Sequence, residues 1–225
     1  MARSLCRNIL DALLDFFFPP RCPSCKAYVE NRGEWCDACL SQTVNPRFVA
    51  LTAKNYGELD GAWAMGKYQG ALKKLIAALK YRLLTEETAF IHSFTLAADE
   101  NLVLPPLDMA VAVPLHRERQ RERGFNQVEM IFSAWLQKRN LPLEKILVRQ
   151  RATRRQFLLK PQERRENMID AFAVAPDMER KIEGSNILLL DDIMTTGSTL
   201  RECAKTLKKA KAKSVYALVL ASDNI

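Results

Sequence analysis

The chain has 225 residues, 48% hydrophobic and 27% charged, with 34 lysines and arginines against 26 aspartates and glutamates. That length and balance suit one α/β domain with a small appendage and exclude a disordered or fibrous chain. The surplus of eight positive charges favours polyanionic partners such as phosphates, nucleic acid or an acidic membrane face.

Taken in chain order, Ile9 to Phe18 reads as a short amphipathic helix closed by Pro19-Pro20. Asp11 and Asp15 interrupt its apolar run, and no small-residue cleavage site follows, so the stretch is not read as a signal peptide. No apolar run reaches the roughly 18 residues of a membrane helix, and the expectation is a cytoplasmic protein. Residues 1–45 hold this helix and a turn-rich cysteine module; residues 46–106 are read as a hood and linker region. Within the latter, Gly61 to Gly70 alternates like a strand. Leu72, Leu75, Ile76, Leu79 and Leu83 repeat with helical spacing, and a second helix is expected over Glu86–Ala98.

From Leu107 to Ile225 the pattern alternates strand and helix. LDMAVAVPL is a buried strand. NQVEMIFSAWLQKRN is a helix capped by Asn126, with Val128, Ile131, Phe132, Trp135 and Leu136 inward. KILVRQ and IDAFAVAP are strands flanking a very basic segment, Arg149 to Asn167. NILLLDD is a near-continuous apolar strand, as in a parallel sheet covered on both faces. A helix over Gly197–Lys211 and the strand SVYALVLAS end the chain. The order implies a doubly wound parallel sheet.

Four of the six cysteines, Cys22, Cys25, Cys36 and Cys39, stand in C-x2-C-x10-C-x2-C spacing. Two such knuckles close a tetrahedral four-thiolate zinc site, and a module this small relies on its metal to fold. Without an open coordination position the zinc is structural. Cys6 and Cys203 are read as buried small apolar residues.

The stretch ILLLDDIMTTGST ends a strand in Asp191 and Asp192 and opens into Thr195, Thr196, Gly197, Ser198 and Thr199. Ligands of open α/β sheets bind beyond the carboxyl ends of the strands. Backbone N–H groups at a helix N-terminus, with hydroxyl side chains, favour a phosphate. Two acids would repel that phosphate unless they face a sugar diol or a hydrated magnesium ion. The physical reading is a sugar phosphate. The plainer reading makes Thr196 or Ser198 an ordinary helix cap, which leaves the acid pair unexplained. At the end of the first strand, Arg117 and Arg123 are the candidates for a pyrophosphate or nucleic-acid contact. Arg154, Arg155 and Arg164 sit in the long basic segment, which could close over the site or track a nucleic-acid backbone.

The apolar strand, two acids and T-T-G-x-T resemble the phosphoribosyl pyrophosphate (PRPP) motif of type I phosphoribosyltransferases. The resemblance implies that Asp191 and Asp192 face the ribose and its magnesium while Thr195 to Thr199 hold the 5′-phosphate. Several further segments are similar to the ComF family: F-P-P-R-C-P-x-C, V-P-L-H-x-x-R-x-x-x-R-G-F-N-Q, R-x-T-x-x-Q-x-x-L and R-x-N-x-x-x-A-F. Some members carry a second set of zinc-ligand cysteines, which this chain lacks. The resemblance implies a type I phosphoribosyltransferase-like fold with a hood. It also implies a role in taking up or using imported DNA, with PRPP, Mg2+, single-stranded DNA and other DNA-uptake proteins as partners. Two other functions remain open. One is phosphoribosyl transfer from PRPP to a base or related nucleophile. The other is a zinc-ribbon DNA adaptor with a vestigial nucleotide site.

Overall fold

The computed structural model describes residues 15, 17–50, 57–79, 85–150 and 168–223. The main sheet has five strands in the order β1-β2-β7-β6-β3. These are β1 (Val44–Phe48), β2 (Gly61–Lys67), β3 (Met109–Ala112), β6 (Asn186–Met194) and β7 (Ser214–Ser222). β2, β7, β6 and β3 run parallel, and β1 pairs antiparallel with β2 at one edge. Pro46 lies within β1, where a missing backbone donor is tolerated because the strand is an edge.

β6 is an interior strand, and its side chains are apolar on both sides. Alternate residues of a strand face opposite ways. Ile187 and Leu189 pack with Leu200, Cys203, Ala204 and Leu207 of α7 (Ser198–Lys209) on one face. Leu188 and Leu190 join the other core. There they meet α2 (Gly70–Leu79), α3 (Thr85–Asp99) and α5 (Gln127–Arg139). Helices thus cover both faces, as the continuous apolar run of β6 requires. Phe132 and Trp135 of α5 are fully buried, each worth about 2–3 kcal/mol of transfer free energy.

The expected strand segments KILVRQ and IDAFAVAP do form strands, but outside the parallel sheet. β4 (Leu147–Arg149) and β5 (Phe172–Val174) make a separate antiparallel pair. The cause lies at the β3 edge. Ala110 donates to Pro142 O at 2.8 Å and accepts from Glu144 N at 2.8 Å. The chain before β4 therefore occupies the hydrogen-bonding positions that a neighbouring parallel strand would need. Leu147 and Phe172 still bury their side chains in the α7-side core.

Three short helices complete the described elements, α1 (Asp37–Thr43) before β1, α4 (Arg117–Arg123) after β3 and α6 (Glu179–Ile182) after β5. The helix expected over Ile9–Phe18 and the C-terminal end of the α2 pattern, Leu83 included, fall mainly outside the described residues. No helix among the described residues is long and apolar enough to cross a membrane.

Candidate functional site

Because β2, β7, β6 and β3 are parallel, their carboxyl ends share one edge of the sheet. Asp191 and Asp192 lie there on β6, opposite the end of β7, with Asp191 beside Val219 and Met194 beside Ser222. Ser222 Oγ donates to Met194 O at 3.0 Å, which pins the loop's first residue to the sheet. Asp191 and residues 193–200 then line a small concavity that opens onto the N-terminus of α7. Gly197, the residue before α7, has φ +69°, a left-handed conformation that costs a side-chain-bearing residue about 1–2 kcal/mol. Thr196 Oγ1 and Ser198 Oγ are 3.1 Å apart. Ser198 is buried, while Thr195, Thr196 and Thr199 are half-buried. The five loop residues are thus gathered around one helix end.

Each acid is tied into its own backbone. Asp191 Oδ1 accepts from Asp192 N at 2.9 Å, and Asp192 Oδ1 accepts from Ile193 N at 2.8 Å. Asp192 Oδ2 accepts from Gln127 Nε2. Gln127 Oε1 in turn accepts from an Arg123 guanidinium nitrogen at 2.8 Å. Arg123, an expected basic residue, therefore meets Asp192 through an amide. Gln127 carried no assigned role in the sequence, although it closes the R-G-F-N-Q segment. Its partner lies 65 residues away, so no local spacing could have revealed the contact. Asn126 sets its position. The Asn126 side chain accepts from Val128 N and donates to Val113 O, both at 3.1 Å, fixing the start of α5 to the end of β3.

Arg117 opens α4 at the same edge of the sheet. His116 precedes it, with Nδ1 3.6 Å from a Glu118 carboxylate oxygen. Arg154, Arg155 and Arg164 lie outside the described residues. A basic residue that sequence reasoning passed over, Arg47 of β1, reaches the end of β7 and donates to Ser222 O at 3.1 Å. Cys203 is buried on α7, as expected, and burial together with the nearby Asp191 charge pushes its thiol well above the ordinary value.

The four clustered cysteines come together. Their sulfur atoms lie within 4.8 Å of one another, and Cys25 Sγ and Cys36 Sγ are 3.6 Å apart. Tetrahedral zinc with bonds of about 2.3 Å spaces its sulfurs ~3.8 Å apart, so the set fits a structural zinc. The first knuckle is a tight hairpin in which Cys22 N donates to Ala27 O and Lys26 N to Cys22 O. The second lies at the start of α1 (Asp37–Thr43), where Cys39 N and Leu40 N both donate to Cys36 O. The thiols differ in acidity. Burial pushes Cys22 up, but backbone donors from Cys25, Cys36 and Ser24 outweigh it and bring the thiol down to about 6. At Cys36 a Cys39 backbone donor works downward, but shared contacts with Cys25 and Cys39 push it up to about 12. A divalent cation would relieve that crowding by neutralising the thiolates together.

The module is docked on α3. Trp35 Nε1 donates to Phe90 O at 2.9 Å, and Ser93 Oγ to Gly33 O at 2.8 Å.

Comparison with known proteins matches two stretches of the chain. Residues 136–225 match the phosphoribosyl transferase domain family, and residues 13–49 match the double zinc ribbon domain family. The ribbon stretch here supplies one four-cysteine set. Competence protein F of Haemophilus influenzae is 28% identical over 90% of this chain and 84% of its own length. The DNA utilization protein YhgH of Escherichia coli O157:H7 is 29% identical over 86% of this chain and 80% of its own. Competence protein ComFC of Bacillus subtilis is 28% identical over 68% of this chain and 60% of its own. Over most of its length the chain is similar to these competence and DNA utilization proteins, and its two matched stretches join a zinc ribbon to a phosphoribosyltransferase-type domain.

Proposed function

We propose that this protein binds PRPP with Mg2+ at the carboxyl edge of β6 and serves the uptake or use of imported DNA. Asp191 and Asp192 face the ribose hydroxyls and the magnesium shell, and the N–H groups and hydroxyls of Thr195 to Thr199 surround the 5′-phosphate. One observation carries the reading. An acid pair at a strand's carboxyl end leads directly into a glycine-hinged hydroxyl loop that opens on the N-terminus of α7. Helix dipole and loop donors suit an anion, and carboxylates suit a diol and a hydrated cation. The second part of the reading is supported by the names of the relatives, a competence protein and a DNA utilization protein. Arg117, Arg123, Arg154, Arg155 and Arg164 are the basic groups for pyrophosphate or for a nucleic-acid backbone.

Calorimetric titration of the zinc-loaded protein with PRPP and Mg2+ tests this directly. Saturable binding is expected. Asp191→Asn combined with Asp192→Asn should weaken it at least a hundred-fold, because two charge-assisted interactions of about 1.5–3 kcal/mol each are lost. A wild-type protein that is folded and zinc-loaded yet does not bind would overturn the reading.

A further inference from the structure

We propose that Gln127 is the positioning residue of this site: its amide holds the Asp192 carboxylate in place and connects it to Arg123. The inference rests on the PRPP reading above and adds to it a residue that neither the acid pair nor the loop contains.

The chemistry of the three partners leaves one arrangement. A guanidinium only donates hydrogen bonds, and an ionised carboxylate only accepts them. Between them stands Gln127, with Arg123 on its carbonyl oxygen and Asp192 on its nitrogen. The amide orientation is therefore dictated by its neighbours and is not an arbitrary assignment. Few other side chains could take the place. Glutamate would present a second acceptor to Asp192, lysine would present no acceptor to Arg123, and leucine would present neither. Asparagine is one methylene shorter.

The amide is also built in rather than draped over the surface. Gln127 is 5% exposed. It occupies the first turn of α5, whose cap Asn126 is bonded to the end of β3. Its backbone is thus fixed relative to the strand that neighbours β6. With Ile193 N on one Asp192 oxygen and Gln127 Nε2 on the other, both ends of the carboxylate are oriented before any ligand arrives. Preorganisation of this kind lowers the ordering cost of binding. Donation from Arg123 polarises the amide and strengthens its N–H as a donor, so Arg123 acts on Asp192 through the Gln127 amide.

The test is calorimetric titration of the zinc-loaded full chain with Mg2+ and PRPP between pH 6 and 8, using Gln127→Leu and Gln127→Glu beside wild type. Gln127→Leu should bind about ten-fold or more weakly, the usual loss when a partner that orients a ligating group is removed. Zinc content and circular dichroism should not change. Gln127→Glu has nearly the same shape but sets two carboxylates face to face. Its affinity relative to wild type should be lowest at pH 8 and recover toward pH 6, because a proton shared by the pair restores the missing donor. A merely structural glutamine predicts a loss in Gln127→Glu that does not vary with pH, and that result overturns the proposal. So does wild-type affinity in both variants, which would leave the PRPP reading standing. Absence of binding by wild type would remove both. Should Gln127→Leu fail to fold, the nearly isosteric Gln127→Glu carries the test through its pH profile alone.

Discussion

The zinc module and the loop after β6 both gather polar atoms at one place, but they are assembled differently. All four sulfurs come from Cys22 to Cys39, a single short segment. The β6 site draws on β6, the loop, the start of α7 and the start of α5, with Gln127 and Asp192 far apart in the chain. The module has little core of its own and leans on its metal and on α3 through Trp35 and Ser93. The other site stands on a sheet whose interior strands β6 and β7 are largely buried. The ligand proposed for it would therefore serve function and not folding, whereas the module's metal is needed for folding.

The sharpest way to break that contrast is to remove one sulfur. Cys22 is fully buried and begins the first knuckle. Cys22→Ser should reduce zinc from one per chain to none, measured by elemental analysis. It should also open residues 17–43 to limited proteolysis while the sheet resists. Metal retention also depends on pH, since protons compete with the cation for thiolates. The zinc should be released as the solution is acidified and retained toward neutral pH. A module that stays folded and protease-resistant without zinc would erase the distinction.

Gly33→Ala should be the next largest effect, and it tests docking rather than metal. Gly33 has φ +86°, and an added Cβ would lie 2.4 Å from Ala89 Cβ on α3. Left-handed strain and overpacking together cost about 3 kcal/mol. For a chain of this size that lowers the melting temperature by ~6–12 °C. Zinc content should stay at one per chain, because the four sulfurs are untouched.

A smaller effect comes from α3 itself. Asp99 accepts from Trp135 Nε1 at 2.7 Å and Arg139 Nε at 2.6 Å, with Lys138 Nζ at 3.2 Å. Burial raises its carboxyl, but these donors outweigh burial and hold it below the ordinary range. A depressed folded value means that the stabilisation is present above the unfolded value near 4 and is lost as pH falls below it. Asp99→Asn should cost about 1–3 kcal/mol at pH 7. It should also flatten the acid limb of a stability-versus-pH curve, followed by denaturant titration.

The same contrast explains what could be read from the sequence. Cysteine spacing is a local signal, and so is an apolar strand ending in two acids; both patterns lie within about twenty residues. The β6 strand, the α5 helix and its Asn126 cap were legible for the same reason. KILVRQ was legible as a strand but not as a member of a separate ribbon. Which backbone takes the β3 edge is decided by Pro142 and Glu144, and no periodicity records it. Gln127 was invisible for a related reason. A glutamine at a helix start is common on propensity grounds, and only the tertiary approach of Asp192 gives it a task. Arg47 is a third case, because its contact with Ser222 spans 175 positions.

Gly197→Ala is the smallest perturbation and separates the two regions most cleanly. Like Gly33, Gly197 is left-handed. The direct strain is about 1–2 kcal/mol, so the melting temperature should fall by no more than ~2–8 °C. Affinity for Mg2+ and PRPP should fall as well, by about five- to thirty-fold if the loop escapes the strain by leaving its bound geometry. Gly33→Ala, by contrast, should lower stability without changing affinity, because it acts on a module that only supports the fold. Differential scanning calorimetry and ligand titration on the two variants measure both quantities. If both lose stability and neither loses affinity, the loop is an ordinary helix start, and the proposed phosphate contact at Thr195 to Thr199 falls with it.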